Sequence, residues 1–185
     1  MVTLTGKKAA LGGKIETMNL RATPVARLYY RQEFGCDIYE SIKVLTADDV
    51  TYESAVPEAV KLAWAMNKAD NFAKNLSTPD YAQWLEKYKK FEFAANIQPI
   101  VREAAKGFLA VVKNGDDGGD EDPADVAYLI EAIAVRLGID LARLNEYTNQ
   151  AFLDMLEIYT ESNSDEEIER IQIATPEDVD RFWRR

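Results

Sequence analysis

The chain has no histidine and a single cysteine, Cys36. Losing histidine removes the commonest general base and the commonest zinc ligand together. One cysteine forbids an intrachain disulfide and leaves neither a Cys–His dyad nor a four-ligand zinc site to build. No apolar run approaches the roughly 18 residues a membrane span requires. The opening residues Met1–Lys14 are basic but carry no apolar core of a signal peptide, so the sequence predicts a soluble chain of a reducing compartment. No Gly-x-Ser-x-Gly elbow occurs, and Gly12-Gly13-Lys14 has neither the length nor the following hydroxyl residue of a phosphate loop. What remains for chemistry is carboxylates alone. Those that could pair, such as Glu166 and Glu167, lie in polar runs that read as a solvated face. No catalytic, cofactor-binding or metal-ligating residue is therefore assigned.

What is present is apolar residue content of 47% and aromatic content of 10%, enough for a packed core in 185 residues. Charge is uneven along the chain. Residues 1–112 hold 15 Lys and Arg against 13 Asp and Glu, a balance of +2; residues 113–185 hold 7 against 19, a balance of −12. The second part repels nucleic acid and anionic membranes, and attracts a basic partner or simply stays solvated. Between them runs Lys113-Asn114-Gly115-Asp116-Asp117-Gly118-Gly119-Asp120-Glu121-Asp122-Pro123. Glycine entropy and like-charge repulsion make this a predicted linker. Its carboxylates, Asp116, Asp117, Asp120 and Asp122, do not follow the spacing of a calcium-binding EF-hand loop. The domain reading is thus 1–112, a linker at 113–123, and a small acidic module at 124–185. A module of roughly 60 residues has a marginal core, so it packs on a partner, on the first domain, or on copies of itself.

The predicted fold is mainly α: a small helical bundle with a short N-terminal β hairpin, then the acidic helical module. Thr3-Leu4-Thr5 and Lys14 to Leu20 form the strand pair. Thr23-Pro24 starts a helix with Val25, Leu28 and Tyr29 on one face, and Gly35 stops it. Ile38, Ile42 and Leu45 mark a second helix, and Pro57 opens a long third through Val60, Ala63 and Trp64. Thr78-Pro79 starts a fourth with Tyr81, Trp84, Leu85 and Tyr88. A fifth carries Ile97, Ile100, Val101, Ala104, Phe108 and Leu109. Beyond the linker, Pro123 opens a helix with Val126, Leu129, Ile130, Ile133 and Leu137, ended by Gly138. A helix capped at Thr148 or Asn149 follows, with Phe152, Met155, Leu156 and Tyr159 inward. Thr175-Pro176 is a third start of the same kind.

Most of the aromatics fall at helical spacing and are assigned to the core. Trp and Tyr also favour interfaces, so any exposed members of the group Tyr30, Trp84, Tyr88 and Phe91 are the candidate protein-binding residues of the first module. Asp154 and Glu157 are the candidates on the acidic face of the second.

Leu28-Tyr29-Tyr30-Arg31-Gln32-Glu33-Phe34-Gly35-Cys36-Asp37-Ile38 resembles the "tyrosine, basic, acidic, Phe-Gly, x, Asp-Ile/Leu" signature near the start of phage tail assembly chaperones. Val60 to Ala69 resembles that family's central helix with its small residues. Asp80 to Tyr88 resembles its "Phe, x, x, Trp-Leu" helix after a Ser/Thr/Pro turn, and a helix from Ile97 to Val111 closes the domain as in the family. Cys36 departs from the hydrophobic or basic residue usual after Phe-Gly. Together these segments cover about half of the chain. Asp125 to Tyr159 resembles the C-terminal extension of the family's long form, which arises by ribosomal frameshifting; the family's Gly after "Leu, x, Glu, x, Thr" is replaced by Asn149-Gln150-Ala151.

The resemblance implies binding without catalysis, in the cytoplasm of an infected bacterial host. The first domain would coat the tape measure protein of a long non-contractile tail. The extension would recruit tail tube protein, with self-association of the chaperone and no role for nucleic acid or membrane. The alternatives are a head-tail joining adaptor, an acidic regulator of a host protein, or an enzyme working with carboxylates alone.

Overall fold

The computed structural model describes residues 1–6, 17–89, 91–109 and 123–162. Strands β1 (Val2–Thr5) and β2 (Thr17–Leu20) pair antiparallel, with Val2 opposite Leu20 and Leu4 opposite Met18. Side chains alternate along a strand, so Leu4, Met18 and Leu20 enter the core together. The hairpin is tied to the central helix by two hydrogen bonds: Arg21 N–H to the Met66 carbonyl at 3.1 Å and Asn67 Nδ2 to the Asn19 carbonyl at 2.9 Å.

Helix α1 (Pro24–Phe34) begins with proline at its first position, as expected. The Thr23 hydroxyl does not cap it. It donates instead to Asn145 Oδ1 at 2.5 Å, a partner 122 residues away. Gly35 ends the helix in the left-handed region at φ 68°, a conformation that costs other residues about 1–2 kcal/mol. Asp37 caps α2 (Ile38–Thr46) by accepting the Tyr39 N–H at 3.3 Å.

Helix α3 (Tyr52–Ala73) starts five residues before Pro57, where the sequence placed its opening. The Thr51 side chain accepts the Ser54 N–H and holds the extra turn. Pro57 forfeits one helical hydrogen bond, and the carbonyl concerned is that of Glu53, an exposed residue where solvent can stand in for the lost donor. Further along, α3 is buried on nearly every side, through Ala59, Leu62, Ala63, Trp64, Ala65, Met66 and Ala69. Such a helix is a core element. Helices α1 and α2, the hairpin and the helix Ile97–Phe108 pack around it.

Helix α4 (Tyr81–Lys87) starts at Asp80, two residues after the expected Thr78 cap. Asp80 takes the Gln83 N–H at 2.9 Å, while the Thr78 hydroxyl accepts Asn71 Nδ2 at 2.8 Å. A 3-10 turn (Phe93–Asn96) leads into α5 (Ile97–Phe108), with Pro99 tolerated in the first turn. At Gly107, α5 lies so close to Ala22 that an added Cβ would sit 2.3 Å from both the Ala22 methyl and its carbonyl oxygen. Gly107→Ala is therefore expected to cost about 1–3 kcal/mol through backbone displacement. A shift in urea midpoint measures it, and an unchanged midpoint would show that α5 moves freely against this segment.

The remaining helices are α6 (Pro123–Arg136), α7 (Leu141–Leu144) and α8 (Asn149–Ser162). Gly138 follows α6 at φ 65°, and the Thr148 hydroxyl caps α8 by accepting the Ala151 N–H at 3.2 Å. Of the three destinations open to this segment, the structure shows the first domain. Val25 and Leu28 of α1 share one apolar cluster with Val126, Ile130, Ala134, Leu144 and Phe152. Three leucines assigned inward face outward: Leu85, Leu109 and Leu137. Leu85 follows inward Trp84 by one residue and so points about 100° away; Leu109 and Leu137 stand at helix ends. The predicted linker through Asp122 and the Thr175-Pro176 start lie outside the described residues. Among the described residues, no helix is long and apolar enough to cross a membrane.

Candidate functional site

Two groupings of side chains organise the molecule. The first is an aromatic cluster where α1, α3 and α4 meet. The Phe34 ring lies 5.6 Å from Trp64 and 5.0 Å from Tyr81, both edge-on. Tyr30 stands 4.7 Å from Phe34 and its hydroxyl meets the Ser41 hydroxyl at 2.5 Å. The cluster continues through Trp84 to Tyr88 and Phe93, at 5.0 and 5.6 Å, and on to Phe91, 5.0 Å from Phe93. Trp84 donates its indole N–H to Asn67 Oδ1 at 3.0 Å. Burial raises the Tyr30 and Tyr81 hydroxyl pKa above the usual tyrosine range.

This geometry settles where the aromatic candidates stand. Tyr30, Trp84 and Phe91 are buried and cannot meet a partner in this conformation. Their helical spacing serves the core. Tyr88 alone keeps part of its surface. Asp154 is exposed and accepts Gln150 Nε2 at 2.8 Å, whereas the Glu157 side chain lies outside the described set.

The second grouping joins α1 to α6. The Arg27 guanidinium, 1% exposed, forms a fork with Asp37 through Nε (3.1 Å) and Nη2 (2.6 Å), and reaches Glu131 Oε1 at 2.6 Å through Nη1. Arg31 takes the other Glu131 oxygen at 3.0 Å. Tyr128 covers both arginines, its ring 4.4 Å from Arg27 and 5.4 Å from Arg31. Burial opposes the charge on Arg27, but Glu131 and then Asp37 outweigh it and raise its pKa. Burial also pushes the Glu131 carboxyl upward, and Arg27 and Arg31 counter that rise. Alongside, Asn145 Nδ2 donates to the Ala69 carbonyl at 2.8 Å. Asn149 Nδ2 donates to the Phe108 carbonyl at 3.1 Å, which Tyr39 also reaches through its hydroxyl at 2.8 Å.

Of these polar residues, Arg31 and Asp37 stood out as members of the signature and Asn149 as a candidate cap, whereas Arg27, Glu131, Tyr128, Tyr39 and Asn145 did not. Two signals were there: Arg27 sits amid Val25, Ala26 and Leu28, and Glu131 interrupts Leu129-Ile130 and Ala132-Ile133-Ala134-Val135. A lone charge inside an apolar run implies an opposite charge in the fold.

The buried carboxylates are separately matched to cations: Glu131 to the two arginines, Asp70 to Lys74, and Glu103 to the Met1 ammonium at 2.7 Å. Met1, Glu103 and Lys106 also line two adjoining clefts of about 230 and 330 Å³. Among the described residues, no group of three or more Cys, Asp or Glu is placed to hold a metal ion. No family model, curated protein or solved structure matches the chain.

Proposed function

We propose that the chain is a tail assembly chaperone of a long-tailed, siphophage-type bacteriophage. It acts by binding without catalysis: it covers the tape measure protein, recruits tail tube subunits, and leaves before the tail is complete. One observation carries this reading. The three segments that resemble the family are separated in sequence, yet Phe34 from the first, Trp64 from the second and Tyr81 from the third pack against one another. A shared signature is expected to hold such a mutually dependent unit. The Phe-Gly-x-Asp pattern also has a physical reason here, since Gly35 turns the chain and Asp37 both caps α2 and holds Arg27. The distribution of buried carboxylates, each against its own cation, is in keeping with binding rather than carboxylate catalysis.

Co-expression with the tape measure protein and the tube protein of the same genome tests the proposal. A tagged full chain is expected to retain both, and the tape measure protein is expected to stay soluble only in its presence. If neither is retained and both are soluble alone, the reading gives way to an adaptor or a host-directed regulator. A truncation before residue 113 is a poor substitute for the full chain, because it uncovers Arg27, Val25 and Leu28.

A further inference from the structure

The connection between α2 and α3 is unusual for this molecule. Residues 46–54 are exposed without interruption. Within and beside them stand three large apolar side chains that the core does not take: Val44, Val50 and Tyr52, the last 63% exposed. The corner holds a defined shape, since Val50 N–H bonds the Ala47 carbonyl at 3.3 Å and the Thr51 side chain accepts the Ser54 N–H at 3.3 Å. An ordered apolar surface meets its partner with little ordering cost.

Charge along residues 46–54 has one sign. Asp48, Asp49 and Glu53 surround the apolar residues, and residues 46–54 contain no Lys or Arg. Among the described residues none of the three carboxylates has an ion-pair partner, whereas nearby Glu40 and Glu58 are matched by Lys43 and Lys61. Glu53 lies in the first turn of α3, where the helix dipole favours it. Asp48 and Asp49 precede the cap and have no such role.

We infer that the corner formed by Val44, Asp48, Asp49, Val50 and Tyr52 is a docking surface for a basic amphipathic segment of another protein. The apolar residues bury the partner's apolar stripe, and the carboxylates meet flanking Lys or Arg. Tyrosine suits the centre of such a contact, because it gives a large area for few rotatable bonds. The inference deepens the proposed function by naming the face a client would use, and it rests on that reading only for the client's identity.

The test is a calorimetric titration of the full chain with an amphipathic Leu/Lys peptide, paired with client pull-down. Val50→Ser/Tyr52→Ala leaves charge intact and alters only exposed residues. Asp48→Lys/Asp49→Lys leaves the apolar residues intact. Each pair is expected to weaken peptide binding by tenfold or more, while Glu146→Lys, at an exposed acidic site between α7 and α8, leaves it unchanged. Equal binding by all variants, or equal loss from Glu146→Lys, overturns the docking surface and reduces the contact to general charge attraction. Peptide binding that depends on the corner, with no client retained by the wild-type chain, upholds the surface and sinks the chaperone reading. Client retained equally by the corner variants upholds the chaperone reading and sinks the surface as its client site.

Discussion

Glu131→Ala is expected to lower the unfolding free energy by about 3–5 kcal/mol, the usual loss when one partner of a buried ion pair is removed. The side chain is fully buried and holds two arginines. Without it, Arg27 keeps Asp37 but carries an unmatched buried donor, and Arg31 loses its 3.0 Å bond to the carboxylate. The damage is also local. Amide exchange is expected to quicken first in residues 123–162, whose hold on α1 is lost, and later in α3. Replacing two of the network's charges together, Arg27→Met with Glu131→Leu, is expected to recover only part of the loss, because the apolar pair avoids the desolvation cost of two ions but takes the guanidinium from Asp37 and the carboxylate from Arg31. Urea unfolding of the three chains measures this. A loss below about 1 kcal/mol for Glu131→Ala, as for a solvated surface pair, would mean that the apolar cluster alone holds α6 in place.

Trp84→Ala carries a comparable penalty for a different reason. The indole is 1% exposed, so its removal is expected to cost about 3–5 kcal/mol in lost burial and residual cavity. It also deprives Asn67 Oδ1 of its 3.0 Å donor. Thermal unfolding and near-ultraviolet circular dichroism report the loss together. A variant that melts with the wild type would place Trp84 at the surface instead. Client binding lost in Trp84→Ala would therefore register a damaged core. Tyr88→Ala, at a half-exposed position, is the informative change in this part of the molecule.

The legible part of the sequence was its local chemistry. Alternation gave the hairpin, Gly35 gave the end of α1, and Asp37 gave the start of α2, because each depends on neighbours within a few residues. Apolar spacing likewise placed Ile38 and Ile42, Trp64, Ile100, Phe108 and Phe152 inward, as observed. Local signals misled where a distant group competed for the same atom. Thr23 and Thr78 both precede proline, yet one hydroxyl is taken by Asn145 and the other by Asn71. Pro57 looked like a helix start because its missing N–H is cheapest there; an exposed first turn made it tolerable further in. The burial of all of Tyr30, Trp84 and Phe91 was beyond reach for a related reason. Spacing says that residues share a face but not whether a second layer covers it. The acidic corner at residues 48–53 was also passed over, because its apolar residues follow no helical period.

The joint between α1 and α6 has a temporal side. Glu131 follows Arg27 by 104 residues, so at ordinary rates of synthesis α1, which has Asp37 early, waits roughly 5–20 s for its second carboxylate. Throughout that interval the nascent chain displays a guanidinium beside Val25 and Leu28, with α6 still unmade. The early chain is thus a different binding object from the later one, and its surface over α1 is set only once residues 123–162 have been made.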